Sequence, residues 1–103
     1  MKRTLIPLAL LALPVFATPA FADQALASAK NCMSCHAVDK KLVGPAFKDI
    51  ATKYAGQAGA ADKLAGKIMK GSSGVWGLVP MPANAQVNAA DAKKLAEWVL
   101  SLK

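Results

Sequence analysis

The chain has 103 residues, of which 13 are Lys or Arg and 6 are Asp or Glu, giving a formal charge of +7. That length holds one domain and excludes a multidomain enzyme. The apolar fraction of 54% is high for so short a soluble chain, and much of it lies in the first 22 residues, so the two parts are read separately.

Met1 to Ala22 has the three parts of a secretory signal. Lys2 and Arg3 form a positive start, Leu5 to Phe16 an apolar run, and Ala20-Phe21-Ala22 an A-x-A cleavage site. A membrane anchor would need about 20 uninterrupted apolar residues, whereas Pro7, Pro14 and Pro19 punctuate this stretch. Export and cleavage would leave residues 23–103, and losing Lys2 and Arg3 would lower the charge to +5. No later apolar run is long enough to cross a membrane. A domain this short buries a smaller share of its surface than a larger one and commonly relies on a disulfide, metal or cofactor to complete its core.

Asp23 can cap a short Ala-rich helix that runs to about Asn31. From Ala37 to Pro45 the pattern is irregular, and Gly44-Pro45 marks a turn whose carbonyls are free to serve another group. Phe47, Ile50, Ala51 and Tyr54 recur at helical spacing within Ala46 to Tyr54, and Gly56 and Gly59 end that segment. Ala60 to Lys70 repeats the pattern through Leu64 and Ile68, with Gly71 at the C-cap position. Val75 to Pro82 is apolar but too rich in Pro and Gly for a helix or central strand, which predicts an ordered loop packed on something. Asn88 with Asp91 resembles a capping pair, followed by an apolar stripe of Ala92, Leu95, Trp98, Val99 and Leu102. With no period-two segments, the fold class is all-α, about four helices with much chain in loops.

Cys32-Met33-Ser34-Cys35-His36 carries the chemistry. In an exported chain, C-x-x-C-H is the signature of covalent c-type haem attachment: each thiol can form a thioether to a vinyl group, and the adjacent imidazole then meets the iron. Three other readings compete. A disulfide between Cys32 and Cys35 would close a four-residue loop, worth about 2 kcal/mol against about 3 for fifteen residues. A thioredoxin-like redox pair would want a βαβ context. A structural zinc site needs four ligands, and no further Cys or His exists.

His36 is the sole histidine, so the sixth iron position is either open, as in a gas-binding or peroxidase haem, or closed by methionine. Met33 lies inside the attachment loop and Met69 in a helix. Met81, held stiffly between Pro80 and Pro82, is the residue suited to present a thioether from a loop, the alternative being that it only fills a gap.

These residues resemble the short bacterial class I cytochromes c of the cytochrome c-551 type. The likeness covers nearly all of residues 23–103: Cys32 to Ala37, Val43-Gly44-Pro45-Ala46, Tyr54-Ala55-Gly56, Gly74-Val75-Trp76-Gly77, Val79-Pro80-Met81-Pro82 with Asn84, and Trp98 to Ser101. The resemblance implies a small class I fold around one covalent haem c, with His36 and Met81 on the iron. It implies that the Pro45 carbonyl accepts a hydrogen bond from His36, that Asn84 sits near the Met81 sulfur, and that Trp76 donates to a haem propionate. Val43, Leu64 and Ile68 are expected to line the haem, and the first and last helices to cross through Leu26 and the Leu95 stripe. Lys67 stands where relatives often carry arginine, and Leu78 and Ala83 where they show proline, so a somewhat looser ligand loop is expected.

The function expected is a periplasmic monohaem electron carrier and not an enzyme, with an open-site haem enzyme or gas-binding haem protein as the alternative. The resemblance implies redox partners such as a terminal oxidase, nitrite reductase or quinol-oxidising complex. Lysines around an exposed haem edge would steer acidic partners into a small, transient contact. A monomer is expected. Nucleic acid is excluded as a partner by export and by the scarcity of aromatic residues.

Overall fold

A computed structural model describes residues 20–103, and its elements follow the apolar periodicity closely. The helices are α1 (Ala20–Ala29), α2 (Phe47–Tyr54), α3 (Ala60–Lys70) and α4 (Ala89–Ser101), with one 3-10 turn at Cys32–Ser34. No strand occurs among the described residues; two isolated bridges join His36 to Lys41 and Ser72 to Met81. The signal sequence expected over residues 1–22 lies outside the described residues except for its last three positions, whose backbone is helical.

α4 is the hub. α1, α2 and α3 each pack on it, as its burial of Ala92, Leu95, Ala96, Trp98 and Val99 along one face requires. α3 contributes Leu64 and Ala65, and α2 contributes Phe47 and Tyr54 to the same core, with Ile50 partly buried against it. α1 packs on α4 as expected, but its fully buried residue is Ala27, with Leu26 only partly covered. A small side chain at that point lets two helix backbones approach closely.

The helix ends follow local chemistry. The Asn88 side chain accepts from the Asp91 N–H at 2.8 Å, the capping arrangement expected for α4. Gly71 ends α3 at φ +80°, a conformation that costs glycine little. Asp23, by contrast, lies inside the first turn of α1 instead of capping it. Ala20-Phe21-Ala22 contains no helix breaker, so the helix begins earlier, while the carboxylate still favours the positive end of the helix dipole. Asn31 stops the sequel by adopting φ +64°, which asparagine tolerates better than most residues, and turns the chain into Cys32.

Val75 to Pro82 is an irregular loop that lines a cleft through Val75, Trp76, Val79 and Met81 but leaves part of its apolar surface in water. Leu78 is fully exposed and Val79 is 63% exposed, beside Leu42, Val43 and Trp76. Pro and Gly keep this segment from folding its apolar side chains onto a helix face, and the bridge at Met81 anchors only its end.

Candidate functional site

The site is built on the turn that follows α1. Backbone bonds from Cys35 N and His36 N to the Cys32 carbonyl, 3.2 and 3.0 Å, fold Cys32 to His36 into one tight unit. Both thiols are half-buried and not joined to one another. Burial pushes the Cys32 thiol above its ordinary range; a backbone hydrogen bond opposes this and the neighbouring Cys35 adds to it. Among the described residues no three His, Cys, Asp or Glu side chains converge on a common point, so Cys32, Cys35 and His36 do not form the start of a zinc site.

His36 is buried, and its orientation is determined by backbone. Nδ1 lies 2.7 Å from the Pro45 carbonyl. A carbonyl only accepts, so Nδ1 carries the proton and donates, which leaves the lone pair on Nε2. The ring stacks on Phe47, centroids 4.9 Å apart, and Phe47 in turn meets Trp98 edge-on at 5.3 Å. Gly44 is pressed against the imidazole: a Cβ there would stand 2.6 Å from Cε1. Gly44 N bonds to the Cys35 carbonyl at 2.8 Å, which closes the loop back on the attachment turn.

Cys32, His36, Pro45, Leu64, Ile68, Trp76 and Met81 line one cleft enclosing about 850 Å³. Cys35 sits beside it on the same turn. Val43 and Asn84 do not line it. Val43 is 57% exposed, in a neighbouring crevice with Lys41, Leu42, Trp76, Leu78 and Val79, because Gly44 and Pro45 supply the backbone that faces His36 and leave the preceding side chain outward. Asn84 uses its amide elsewhere: Nδ2 donates to the Ile68 carbonyl at 2.9 Å, and Oδ1 accepts from Gln86.

The sequence reading missed Phe47 and Trp98 as parts of this site, since helical periodicity marks them only as core. Phe47, Tyr54, Lys67 and Ser72 also line the cleft. Trp76 is 38% exposed with the Lys53 ammonium 5.2 Å above its ring. Met33 and Met69 are packed against the helical core, which leaves Met81 as the methionine on the cleft wall.

These residues fit a haem. The cleft wall is largely apolar, an imidazole nitrogen and a thioether are both on it, and two thiols stand at its edge. Trp98 gives an independent sign. It is 4% exposed, lines the cleft, and its indole N–H has no hydrogen-bond partner among the described residues. A buried donor without an acceptor is costly, so this wall is made to face another group.

A cytochrome c family model matches residues 23–103. The chain is 61% identical over 81 residues to cytochrome c-552 of Nitrosomonas europaea, covering 79% of each chain. It is 53% identical over 105 aligned positions to cytochrome c-551 of Stutzerimonas stutzeri, covering 100% of both. The crystal structure of wild-type Nitrosomonas europaea cytochrome c552 aligns with a TM-score of 0.76 at 60% identity, covering 78% of this chain and 99% of that one. Likeness of this extent, on a cleft already suited to a tetrapyrrole, means that the chain belongs to the cytochrome c family as a small class I member of the c-551 type, an electron carrier with one covalent haem c and not an enzyme.

Proposed function

We propose that the chain is a periplasmic one-electron carrier in which His36 Nε2 and the Met81 sulfur would both hold the haem iron. The observation that carries this reading is the 2.7 Å bond from His36 Nδ1 to the Pro45 carbonyl. It commits one ring nitrogen, leaves Nε2 as the donor, and makes that donor more basic. Met81 is the remaining soft ligand on the cleft wall. Bound haem supplies one-electron chemistry, and a thioether opposite an imidazole favours a raised reduction potential.

The other residues hold and shield. Cys32 and Cys35 anchor the group covalently, Leu64, Ile68 and Phe47 keep water away, and Trp76 and Lys67 stand on the wall as donors suited to propionates. Asn84 supports the site from outside the cleft by tying the segment after Met81 to the Ile68 carbonyl, and Val43 lies on the exposed face. With His36 and Met81 both holding the metal, the protein would leave no position on it for a substrate.

Residues 1–22 are proposed to be a signal peptide removed after Ala22. The family match beginning at residue 23 supports that boundary, and among the described residues no helix is long and apolar enough to cross a membrane. The partners proposed are acidic redox proteins of the terminal oxidase, nitrite reductase or quinol-oxidising kind. Leu42, Val43, Leu78 and Val79 form an exposed apolar face beside Trp76, flanked by Lys41, of the sort that makes a small transient contact.

The test is an absorption spectrum of the purified protein in both redox states. The ferric protein is expected to show the weak long-wavelength band of a thioether-bound iron, and Met81→Ala to lose it. An unchanged ferric spectrum in Met81→Ala, or ready carbon monoxide binding by the ferrous protein, would overturn the assignment in favour of an open iron.

A further inference from the structure

Two stretches of chain hold the cleft: the attachment turn after α1 and the loop that carries Met81. They are joined at one place on the surface by side chains 56 positions apart. Gln86 Nε2 donates to the Lys30 carbonyl at 2.9 Å, and Lys30 Nζ donates back to the Gln86 carbonyl at 3.3 Å. Lys30 lies two residues before Cys32, and its carbonyl belongs to the end of α1, where helical partners run out.

The same Gln86 amide reaches the ligand loop. Nε2 also donates to Asn84 Oδ1 at 3.2 Å, and Asn84 Nδ2 donates onward to the Ile68 carbonyl at 2.9 Å and to the Pro82 carbonyl at 3.4 Å. Asn84 N bonds to that Ile68 carbonyl as well, at 3.2 Å. Lys30 Nζ lies 3.8 Å from Asp91 in the first turn of α4, both side chains about a quarter exposed (27% and 24%). Gln86 is thus the link between the segment bearing Cys32 and the segment three residues beyond Met81; its own bonds lie at the surface, and the Asn84–Ile68 bond they lead to is partly buried.

We propose that Gln86 is a positioning residue for the distal ligand: its amide ties the Met81 loop to the attachment turn and so sets how readily the Met81 sulfur leaves the iron. The proposal rests on the assignment of Met81 as distal ligand. With the tie cut, the loop keeps its anchors at Ser72 and Ile68 but loses its restraint against the other half of the cleft. The open population rises while the fold persists.

The experiment uses ferric holoprotein and titrates imidazole, which binds the iron only after the sulfur has left. Gln86→Met keeps the side chain's length and removes its donors. It is expected to tighten apparent imidazole binding about fivefold, the effect of losing a hydrogen bond of ordinary net strength. Gln57→Met is the matched control, because Gln57 Nε2 donates to the Lys53 carbonyl at 3.2 Å far from the ligand loop in sequence; it is expected to leave imidazole binding unchanged. Unchanged imidazole affinity in Gln86→Met, whether or not its denaturant midpoint falls, would overturn the proposal, as would an equal effect in Gln57→Met. Met81→Ala separates the two readings: if it loses the thioether band while Gln86→Met behaves as wild type, the ligand assignment stands and only the role of Gln86 falls.

Discussion

His36 is held by the backbone of Gly44 and Pro45 and by one aromatic side chain, Phe47. The Pro45 carbonyl orients its Nδ1, Gly44 lies against its ring, and Phe47 covers its face. Gly44→Ala is therefore expected to act on the proposed iron ligand itself. Its methyl would meet Cε1 at 2.6 Å and Nδ1 at 3.0 Å, and the ring is pinned by Pro45 on one edge and Phe47 on one face. Overpacking of this kind costs about 1–3 kcal/mol, and the check is the denaturant midpoint of the holoprotein together with its reduction potential, which should shift with the ring. Gly71 plays the matching part on the other side. Its φ of +80° is disfavoured for any side chain, and a Cβ would stand 2.6 Å from the Met81 carbonyl and 2.9 Å from Ala83 N. Gly71→Ala is expected to weaken the ferric thioether band at a temperature where the wild type keeps it fully.

At the level of elements, α4 determines where everything else goes. α1 brings the attachment turn to it, α2 brings Phe47 against Trp98, and α3 brings Leu64 and Ile68 to the cleft. The start of α4 is secured by the 2.8 Å bond from Asp91 N to the Asn88 side chain. Asn88→Ala is expected to lower global stability by about 1 kcal/mol, the ordinary loss for an N-cap, measured by chemical denaturation. The visible spectrum should not change, because no haem-facing residue moves. The surface pairs Lys48–Asp39 and Lys93–Asp62, at 2.7 and 3.3 Å, have mostly exposed partners. Pairs of that kind are worth little, so the element packing and not the ion pairs holds the helices in place.

For the whole molecule, the notable feature is an apolar face left in water. Leu78 is fully exposed within it, so it contributes little to the fold and is available to the partner contact proposed above. Leu78→Asp is expected to leave the unfolding midpoint within about 0.5 kcal/mol of wild type, while slowing electron exchange with an acidic redox partner. Stopped-flow mixing with such a partner measures this. Because the surface is basic and its net charge is positive, the wild-type rate should fall as ionic strength rises. A rate indifferent to salt would mean that charge does not steer the encounter.

Cys32-Met33-Ser34-Cys35-His36 was legible without a structure because five adjacent residues carry their own geometry, and so were α2, α3 and α4, whose apolar spacing is set by the helix repeat. The same holds for Asn88 and Gly71, where a cap needs only neighbours a turn away. What covalent spacing does not determine is which way a side chain turns in an irregular segment. That is why Val43 is outside the cleft, why Leu78 and Val79 face water, and why the Asn84 amide is bound to Ile68. Phe47 stacking on His36 and Gln86 reaching Lys30 depend on how α2, α1 and the ligand loop settle around α4. The chemistry of attachment is local and is written in order along the chain; the restraint on His36 and Met81, the proposed ligands, comes from backbone and side chains that only packing brings together.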